Sequence, residues 1–522
     1  MSRVVKEQMA AARVTSRARR FYPVLGLLGL GACTSVLGIE DLHEEPRPGT
    51  GGDTGTAGTS NNDGGKNNAG GKNGGGTTGN AGSANPDAGA GNGPMGGTAG
   101  TGTSGSMNND AGAAGAVDPG DPTVRGHVID IWGHKLADVP VQIGDTQTST
   151  DANGAFVIPD VPSTYEVSLD IEYQQYDSPR SIGWVYQGLT RRDPTLQVRT
   201  GLPLRSGTVG LAAPGVTEGN DEQISLAFGG VDGTTDTTLG FTGSTLSGYW
   251  QGTDTSSQTA HALYWHYDHD TELPTDYYGY TSSSVLLSET ETAQLSLTLT
   301  KGTLTSGNLQ GTVTSGGGTD RLDQAWVHFT SGALMRLVDA TGTKNFSYIL
   351  PTLPKSSLTF AAAEGGDPYY GPFGIVVADG LTATSKPALT VPTPVKLTAP
   401  ADQLTNVNAS TKFTFGGASN PGPYVVQFVN IDDNGPRQAI FVVTAATQVT
   451  IPPVIGGGMQ LKPNNVIEWR VATHGKYASV DAMAAPGGAL QPFTDSDHNI
   501  DGPPRDGGEF TISSWRDFTT AP

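Results

Sequence analysis

From Pro122 onward, apolar and polar residues alternate in short runs rich in Val, Ile, Thr, Tyr and Phe. Turn-forming residues interrupt them about every 8–12 positions, and no run carries a convincing helical period. Side chains of a strand point alternately to opposite faces, so each such run predicts a strand with one buried face. The pattern as a whole predicts an all-β chain of tandem β-sandwich domains. Val124 to Ile143 reads as strand, turn, strand. Phe156 and Ile158 share one face of the next strand, and Val167, Leu169 and Ile171 share one face of the strand after it. Between them, Asn153-Gly154 predicts a hairpin turn, since both residue types tolerate positive φ.

The 121 residues before this body read differently. Residues 49–120 contain 25 Gly in 72 positions, with Asn, Thr, Ala and Ser filling most of the rest and no aromatic, Leu or Ile. Such a segment buries too little apolar surface to offset its ordering entropy. The glycines have no strict every-third spacing, which excludes a collagen helix. A disordered Gly/Asn/Thr-rich tether is expected, with a root-mean-square reach of roughly 45–50 Å.

Ahead of the tether, Arg13, Arg17, Arg19 and Arg20 precede an apolar run from Phe21 to Ala32 that closes on Cys33, the single cysteine of the 522-residue chain. About 20 apolar residues are needed to span a bilayer core, and this run is too short. Its charged, apolar, small-residue order is that of a secretory signal. The run Leu30-Gly31-Ala32-Cys33 resembles the lipobox of bacterial lipoproteins. That resemblance implies a diacylglycerol on Cys33, an acylated new N-terminus carrying fatty chains such as palmitate, and a membrane partner held through the lipid. Several acyl chains anchor stably where one binds reversibly. In that family Thr34, being other than Asp, permits transport to the outer membrane.

Charge follows from the signal. The chain has 30 basic and 50 acidic residues, and residues 1–32 hold six and one of these. The remainder is therefore 24 against 49, a formal −25. With no basic patch, nucleic acid is excluded as an expected partner, and cations or neutral ligands are favoured. One cysteine allows no disulfide within the chain, so the folded part must stand on apolar cores.

Two family resemblances refine the body. Thr150-Asp-Ala-Asn-Gly154, Phe156 and the step Val161-Pro162 resemble the carboxypeptidase regulatory-like (transthyretin-like) β-sandwich, which implies an accessory rather than a catalytic module. A weaker echo, with Gly311-Thr-Val313, Asp339-Ala-Thr-Gly342, Phe346 and Leu353-Pro354, suggests a second copy. The run Leu461-Lys-Pro463 before Ile467-Glu-Trp469, with strands at Phe413, Tyr424 and Phe510, resembles a fibronectin type III-like sandwich, implying binding, spacing or adhesion. The expected organisation is a signal at 1–32, the tether at 33–121, a regulatory-like sandwich at 122–200, a β-rich unit of unassigned type at 201–305, the second copy at 306–392 and the fibronectin-like unit at 393–522.

Three constellations bear on chemistry. His261, His266, Asp268, His269 and Asp270 suggest zinc by residue type, but strand alternation puts His266 and Asp268 on one face and His269 on the other. Tyr264, Trp265 and Tyr267 lie in an aromatic-rich stretch and are candidates for stacking on a glycan, against the alternative of ordinary sheet packing. Asp495, Asp497, Asn499 and Asp501, followed by Gly502, alternate oxygen ligands as a calcium loop does, though Gly508 stands where the closing acid belongs. No serine elbow, zinc-protease helix, phosphate loop or dinucleotide fingerprint is present. The expectation is a surface-anchored lipoprotein of the outer membrane with a non-catalytic binding, adhesive or structural role toward glycans or other envelope proteins. An envelope hydrolase, or an accessory subunit of one, acting on polysaccharide or peptide is the alternative.

Mass spectrometry of the mature protein checks the N-terminus. The first residue is expected to be Cys33 carrying diacylglyceryl and acyl groups; a retained Met1 or an unmodified Cys33 would contradict it.

Overall fold

The computed structural model describes residues 121–522 apart from 131–132, 176–177, 199–203, 214–215, 217–220, 231–232, 241–244, 252–253, 300–301, 319, 366–370, 431–437, 454–461 and 489–506. The expectations for Cys33, the tether and the acidic loop Asp495–Asp501 fall outside the described residues. Within them every element is a strand except one four-residue helix.

The first sandwich contains β1 (Val124–Asp130), β2 (Pro140–Ile143), β3 (Thr146–Ser149), β4 (Ala155–Ile158), β5 (Tyr165–Gln175), β6 (Ser178–Leu189) and β7 (Thr195–Val198). The second contains β8 (Leu204–Ala212), β9 (Glu222–Gly230), β10 (Gly233–Gly240), β11 (Thr245–Gln251), β12 (Thr255–Tyr267), β13 (Pro274–Ser288) and β14 (Ala293–Ser296). The third contains β15 (Ser306–Thr314), β16 (Asp320–Phe329), β17 (Leu334–Thr341), β18 (Asn345–Pro351), β19 (Ser356–Gly365), β20 (Phe373–Leu381) and β21 (Ala388–Thr390).

These three share one topology. In each, the first strand lies between the fourth, antiparallel, and the seventh, parallel; the facing sheet runs third, second, fifth, sixth. Residues 204–296, whose sequence suggested no type, thus repeat the strand order of both neighbours. The first and third sandwiches also share a packing detail. A Cβ on Gly126 would lie 2.3 Å from Phe156 Cζ and 2.9 Å from the Pro194 carbonyl. One on Gly311 would lie 2.7 Å from Phe346 Cζ and 2.2 Å from the Pro387 carbonyl. In both, the first strand must pass under a phenylalanine ring with no side chain in the way.

The Asn153-Gly154 expectation needs correction. β3 and β4 belong to opposite sheets, so the turn between them is a crossing and not a hairpin. Only Gly154 has positive φ, at 68°. The Asp151 carboxylate accepts from the backbone of Asn153 (2.8 Å) and Ala155 (2.9 Å), and a Cβ on Gly154 would meet the Val128 carbonyl at 2.6 Å. These backbone bonds, Ala155 first, hold the Asp151 pKa below its usual range. The carboxylate is a turn clasp, as its local bonding requires.

The fourth sandwich contains β22 (Lys396–Ala399), β23 (Leu404–Val407), β24 (Phe413–Gly416), β25 (Tyr424–Asn430), β26 (Gln438–Thr444), β27 (Gln448–Val449), β28 (Val466–His474), helix α1 (Val480–Met483), β29 (Gly508–Ile512) and β30 (Arg516–Thr520). β22, β24 and β27 form one sheet; β26, β25 and β28, continued by β29 and β30, form the other. Phe413 stands at the centre of its core, 4.8 Å from Phe428, 5.0 Å from Trp469 and 5.2 Å from Phe518 between ring centres. The strand expected at Phe510 ends at Ile512 and a separate strand, β30, follows it, while β23 and β26 lie where the sequence pattern places no strand.

The fourth sandwich joins the first to the third. β26 pairs in parallel with β6, from Gln438 opposite Ser181 to Val443 opposite Tyr186. β29 pairs antiparallel with β20, from Phe373 opposite Ile512 to Val377 opposite Gly508. The result is one 14-stranded sheet running through three sandwiches. Both faces of the linking strands are apolar. In β25 and β26, Val426, Phe428, Ile440 and Val442 face the fourth sandwich's own core. Val425, Phe441 and Val443 belong instead to a cluster that continues into Trp184, Tyr186 and Val167 of the first sandwich and Phe373 and Ile375 of the third. Tyr424 to Asn430 is buried at every position and apolar except at Gln427 and Asn430, as a strand covered on both faces requires. At the seam, Trp184 stacks on Phe441 at 4.3 Å with the rings 9° from parallel.

Helix α1 fastens the same seam. Ser479 caps it, accepting from Ala482 N at 3.1 Å. Asp481 then accepts from the backbone of Thr190 (2.8 Å) and Arg191 (3.1 Å) in the first sandwich, and from the Thr190 hydroxyl. Burial alone would raise the Asp481 pKa, but these hydrogen bonds and Arg191 outweigh it and the net shift is downward. The second sandwich is attached otherwise. Ala227, Leu263, Trp265 and Tyr277 from its outer face join the core cluster of the third.

Trp184→Ala removes the stacked seam residue and is expected to cost about 3–5 kcal/mol. Because the seam is shared, hydrogen exchange should rise in β6 and β26 together. A rise confined to β6 would show that the first and fourth sandwiches do not support each other.

Candidate functional site

The aromatic stretch is structural. Tyr264 is fully buried in the second sandwich's own core and donates to Glu222. Trp265 points the opposite way, 5 % exposed, into the contact with the third sandwich, where its indole N–H donates to Ser225 at 2.8 Å. Tyr267 is half-buried and packs at the margin of the same contact. Neighbouring positions on one strand thus fill two different cores, and neither Tyr264 nor Trp265 keeps a ring face open. This burial supports the packing reading of Tyr264 and Trp265 over stacking on a glycan.

The histidines beside them are also engaged. His261 is buried; its Nδ1 bonds Tyr280 at 2.9 Å and its Nε2 bonds Ser331 of the third sandwich at 2.8 Å. Its ring stacks 3.8 Å from that of Phe329. Burial lowers its pKa from 6.5 to about 4, so the ring is neutral at physiological pH and donates one bond and accepts the other. His266 bonds Thr275 at 2.8 Å. Asp268 clasps the turn through Thr271 and Asp270, and its pKa is lowered by those bonds, Thr271's hydroxyl first. Among the described residues no group of three or more His, Cys, Asp or Glu side chains is placed to hold a metal ion.

The third sandwich carries a buried ion pair of similar character. Asp323 is fully buried and receives both Arg321 Nε and Nη2 at 2.7 Å and the Tyr348 hydroxyl at 2.9 Å. A Cβ on Gly342 would lie 2.2 Å from Arg321 Nε. Glu364, also buried, accepts from Ser315 (2.7 Å) and from Gly316 N (2.8 Å). These carboxylates are bound up in structure.

An open site exists elsewhere, in the first sandwich. The ladder between β2 and β5 holds only at Val141 with Leu169 and Gln142 with Ser168. Past Gln142 the strands part, and a cleft of about 420 Å³ opens there. Its walls include Ile143, Ile158, Val161 and three prolines, Pro159, Pro162 and Pro453, the last from the fourth sandwich. Its polar groups are Gln142, Thr146, Asp160, Tyr165, Glu166 and Ser168. Ser168 is 8 % exposed and its hydroxyl has no hydrogen-bond partner. A buried polar group left unpaired costs about 1–3 kcal/mol, and this hydroxyl, closed off from solvent, is a cost to the fold and not an open contact of the cleft. A volume of this size falls in the range of about 300–1,000 Å³ usual for small-molecule sites.

Nothing in the sequence marks this cleft: Val161-Pro162 reads as a marker of fold, and Ser168 is the polar alternate between Val167 and Leu169. The defining feature is a ladder that stops after two residue pairs, and no residue type announces that.

No family model and no curated protein matches the chain. Among solved structures, the Bacillus anthracis TIE protein is similar at 9 % identity over 52 % of this chain and 49 % of that one, with a TM-score of 0.15. A streptococcal ancillary pilin is similar at 10 % identity over 52 % of this chain and 98 % of that one, with a TM-score of 0.13. The open form of the pilus adhesin SpaC from Lactobacillus rhamnosus GG is similar at 11 % identity over 64 % and 44 %, with a TM-score of 0.11. The chain spans about half the length of the TIE protein. Such scores lie far below those of a shared fold, and nothing of those proteins' roles passes to this chain.

His261 yields a pH prediction. Its folded pKa is depressed, so below 6.5 the unfolded chain binds a proton that the folded chain refuses until about 4. Stability from this site is complete above 6.5 and is lost progressively as pH falls toward 4. His261→Gln, which does not titrate, is expected to flatten that part of the melting-temperature profile. An unchanged slope would contradict the assignment.

Proposed function

We propose that this chain is a lipid-anchored protein of the bacterial outer membrane whose head is a non-catalytic binding and structural scaffold. The observation that carries the reading is the single sheet through the first, fourth and third sandwiches. A head welded in this way is suited to presenting a surface at a distance from its anchor. His261 and Asp481 hold sandwiches to one another, and Arg321, Asp323 and Glu364 are bound up within the third, which fits a scaffold. Cys33 and the glycine-rich segment supply attachment and reach in this reading.

Regulatory-like sandwiches for the first and third units are part of the same proposal, supported by their common strand order and by the Gly126–Phe156 and Gly311–Phe346 packing. The three-stranded sheet facing a longer one in the fourth unit supports the fibronectin type III-like reading. Calcium at Asp495, Asp497, Asn499 and Asp501 remains a proposal drawn from residue spacing.

Protease treatment of intact cells tests the whole. Cleavage is expected in the glycine-rich segment, releasing one resistant fragment that begins near Asp121 and reaches the C-terminus. Protein found in the soluble fraction, or a ladder of fragments cut at each sandwich boundary, would contradict the proposal.

A further inference from the structure

In each of the first three sandwiches the facing sheet ends on its sixth strand, which is β6, β13 or β20. The fourth sandwich adds β26 to β6 and β29 to β20, so this edge serves twice as a joint. In the second sandwich, β13 pairs with β12 alone among the described strands. The Glu289 N–H donates to the Asp254 carbonyl on the β12 side, and the Tyr278 carbonyl accepts from Gly302 N at 2.7 Å on the other. Backbone directions alternate along an antiparallel strand, so the N–H and C=O groups of Tyr280, Ser282, Ser284 and Leu286 turn away from β12. Among the described residues only the Ser283 hydroxyl, 3.4 Å from the Ser284 carbonyl, bonds any of these backbone groups. Register with β12 is unbroken from Tyr280 to Ser288, so no bulge twists this part of the edge away. Between Asp276 and Glu289 the strand holds no charge and no proline. Leu286 is 60 % exposed, and Ser282, Ser283 and Ser284 are exposed beside it. Natural edges are guarded by brevity, charge, proline or bulges. At the ends of the long sheet β3 has only four residues, and β17 carries Arg336 and Asp339. The outer part of β13 has no such guard.

We propose that β13 is a docking edge for a second copy of this chain, the two β13 strands pairing antiparallel across a two-fold axis at Ser284. The free run is 281–287. Gly302 occupies the edge at Tyr278, and a Cβ on Gly207 would lie 2.6 Å from the Ser288 carbonyl, so β8 closes the other end. A run centred on Ser284 pairs with itself under a two-fold and needs no foreign strand to complete it. Leu286 then lies opposite the partner's Ser282, and the two four-stranded sheets become one continuous sheet. Charge favours this occupant. The chain has a formal charge of −20, so copies repel over most of their surface, but here they meet along an uncharged strand. Glu289 falls opposite the partner's Gly279, so no two acids face each other. A foreign partner selected by charge has nothing to read in this run. The edge that the fourth sandwich completes for its two neighbours is thus completed for the second sandwich by another molecule.

Sedimentation velocity on the full chain tests it, with Cys33→Ser so that neither a lipid nor a disulfide joins copies. A monomer–dimer equilibrium is expected at concentrations up to about 100 µM, where a small interface of this kind should associate. Leu286→Lys places a charge where natural edges carry one, and should raise the dissociation constant at least about tenfold, because the two-fold counts the substitution twice. Ser284→Pro removes an N–H that points away from β12, and should abolish the dimer without breaking the ladder to β12. If the proline variant misfolds, Leu286→Lys decides, since position 286 is exposed in the monomer and its melting temperature should match that of the parent at dilutions where both are monomers. Amide exchange reads the register: protection at Ser282, Ser284 and Leu286 should rise with protein concentration. A chain that stays monomeric at the highest concentration, a dimer unaffected by Leu286→Lys, or exchange at these three amides that ignores concentration would overturn the inference.

Discussion

The backbone pairing of β6 with β26 and of β20 with β29 is the constraint on which the rest of the molecule depends. A β-sandwich exposes edge strands, and an exposed edge is a template for pairing with another chain. Here the edge of the first sandwich and the edge of the third are both completed by the fourth, which lies last in the chain and between them in space. Four edge strands, β6, β26, β29 and β20, are paired at two seams by one insertion. The apolar residues follow from it. A strand in the middle of such a sheet is buried on both faces, and β25 and β26 are accordingly apolar at successive positions through 424–426, 428–429 and 439–443, with Gln427 bonded to Arg470.

The interior polar groups are consistent with that arrangement. His261 bridges Tyr280 of the second sandwich to Ser331 of the third. Asp481 bridges the fourth to the first. Arg470, buried in β28, donates to Gln427 at 2.7 Å and lies 4.2 Å over the Trp515 ring. Buried pairs of this kind contribute less to net stability than apolar packing does, but leaving one partner alone is costly, so they disfavour wrong dockings. His261 and Asp481 help fix which sandwich meets which, while Arg470 fixes the packing inside the fourth. Residues that resemble the parts of an active site by type are used here as joints.

Much of the fold was legible. Alternation at Phe156 and Ile158, and at Val167, Leu169 and Ile171, gave the inward faces of β4 and β5 directly. Phe413 and Trp469, which the pattern places on strands, both lie in the core of the fourth sandwich. The linkage between sandwiches was not legible, because a parallel pairing across more than 250 residues leaves no local pattern. The same limit explains the aromatic stretch. Tyr264 and Trp265 look alike in sequence, yet successive side chains on one strand face opposite sides, and both sides here are covered. The cleft was hidden for a third reason: it exists where the β2–β5 ladder ends, and an ending of that sort depends on the twist of the strands more than on any residue.

Amide hydrogen exchange on the full chain, followed at Ile182 to Tyr186 of β6 and at Gly508 to Ile512 of β29, measures the shared sheet most directly. Protection equal to that of the central strands β25 and β28 is the predicted result, since these edges are then interior strands of one cooperative body. Exchange as rapid as that of an unpaired edge strand at either seam would mean that the sandwiches hang separately on the chain.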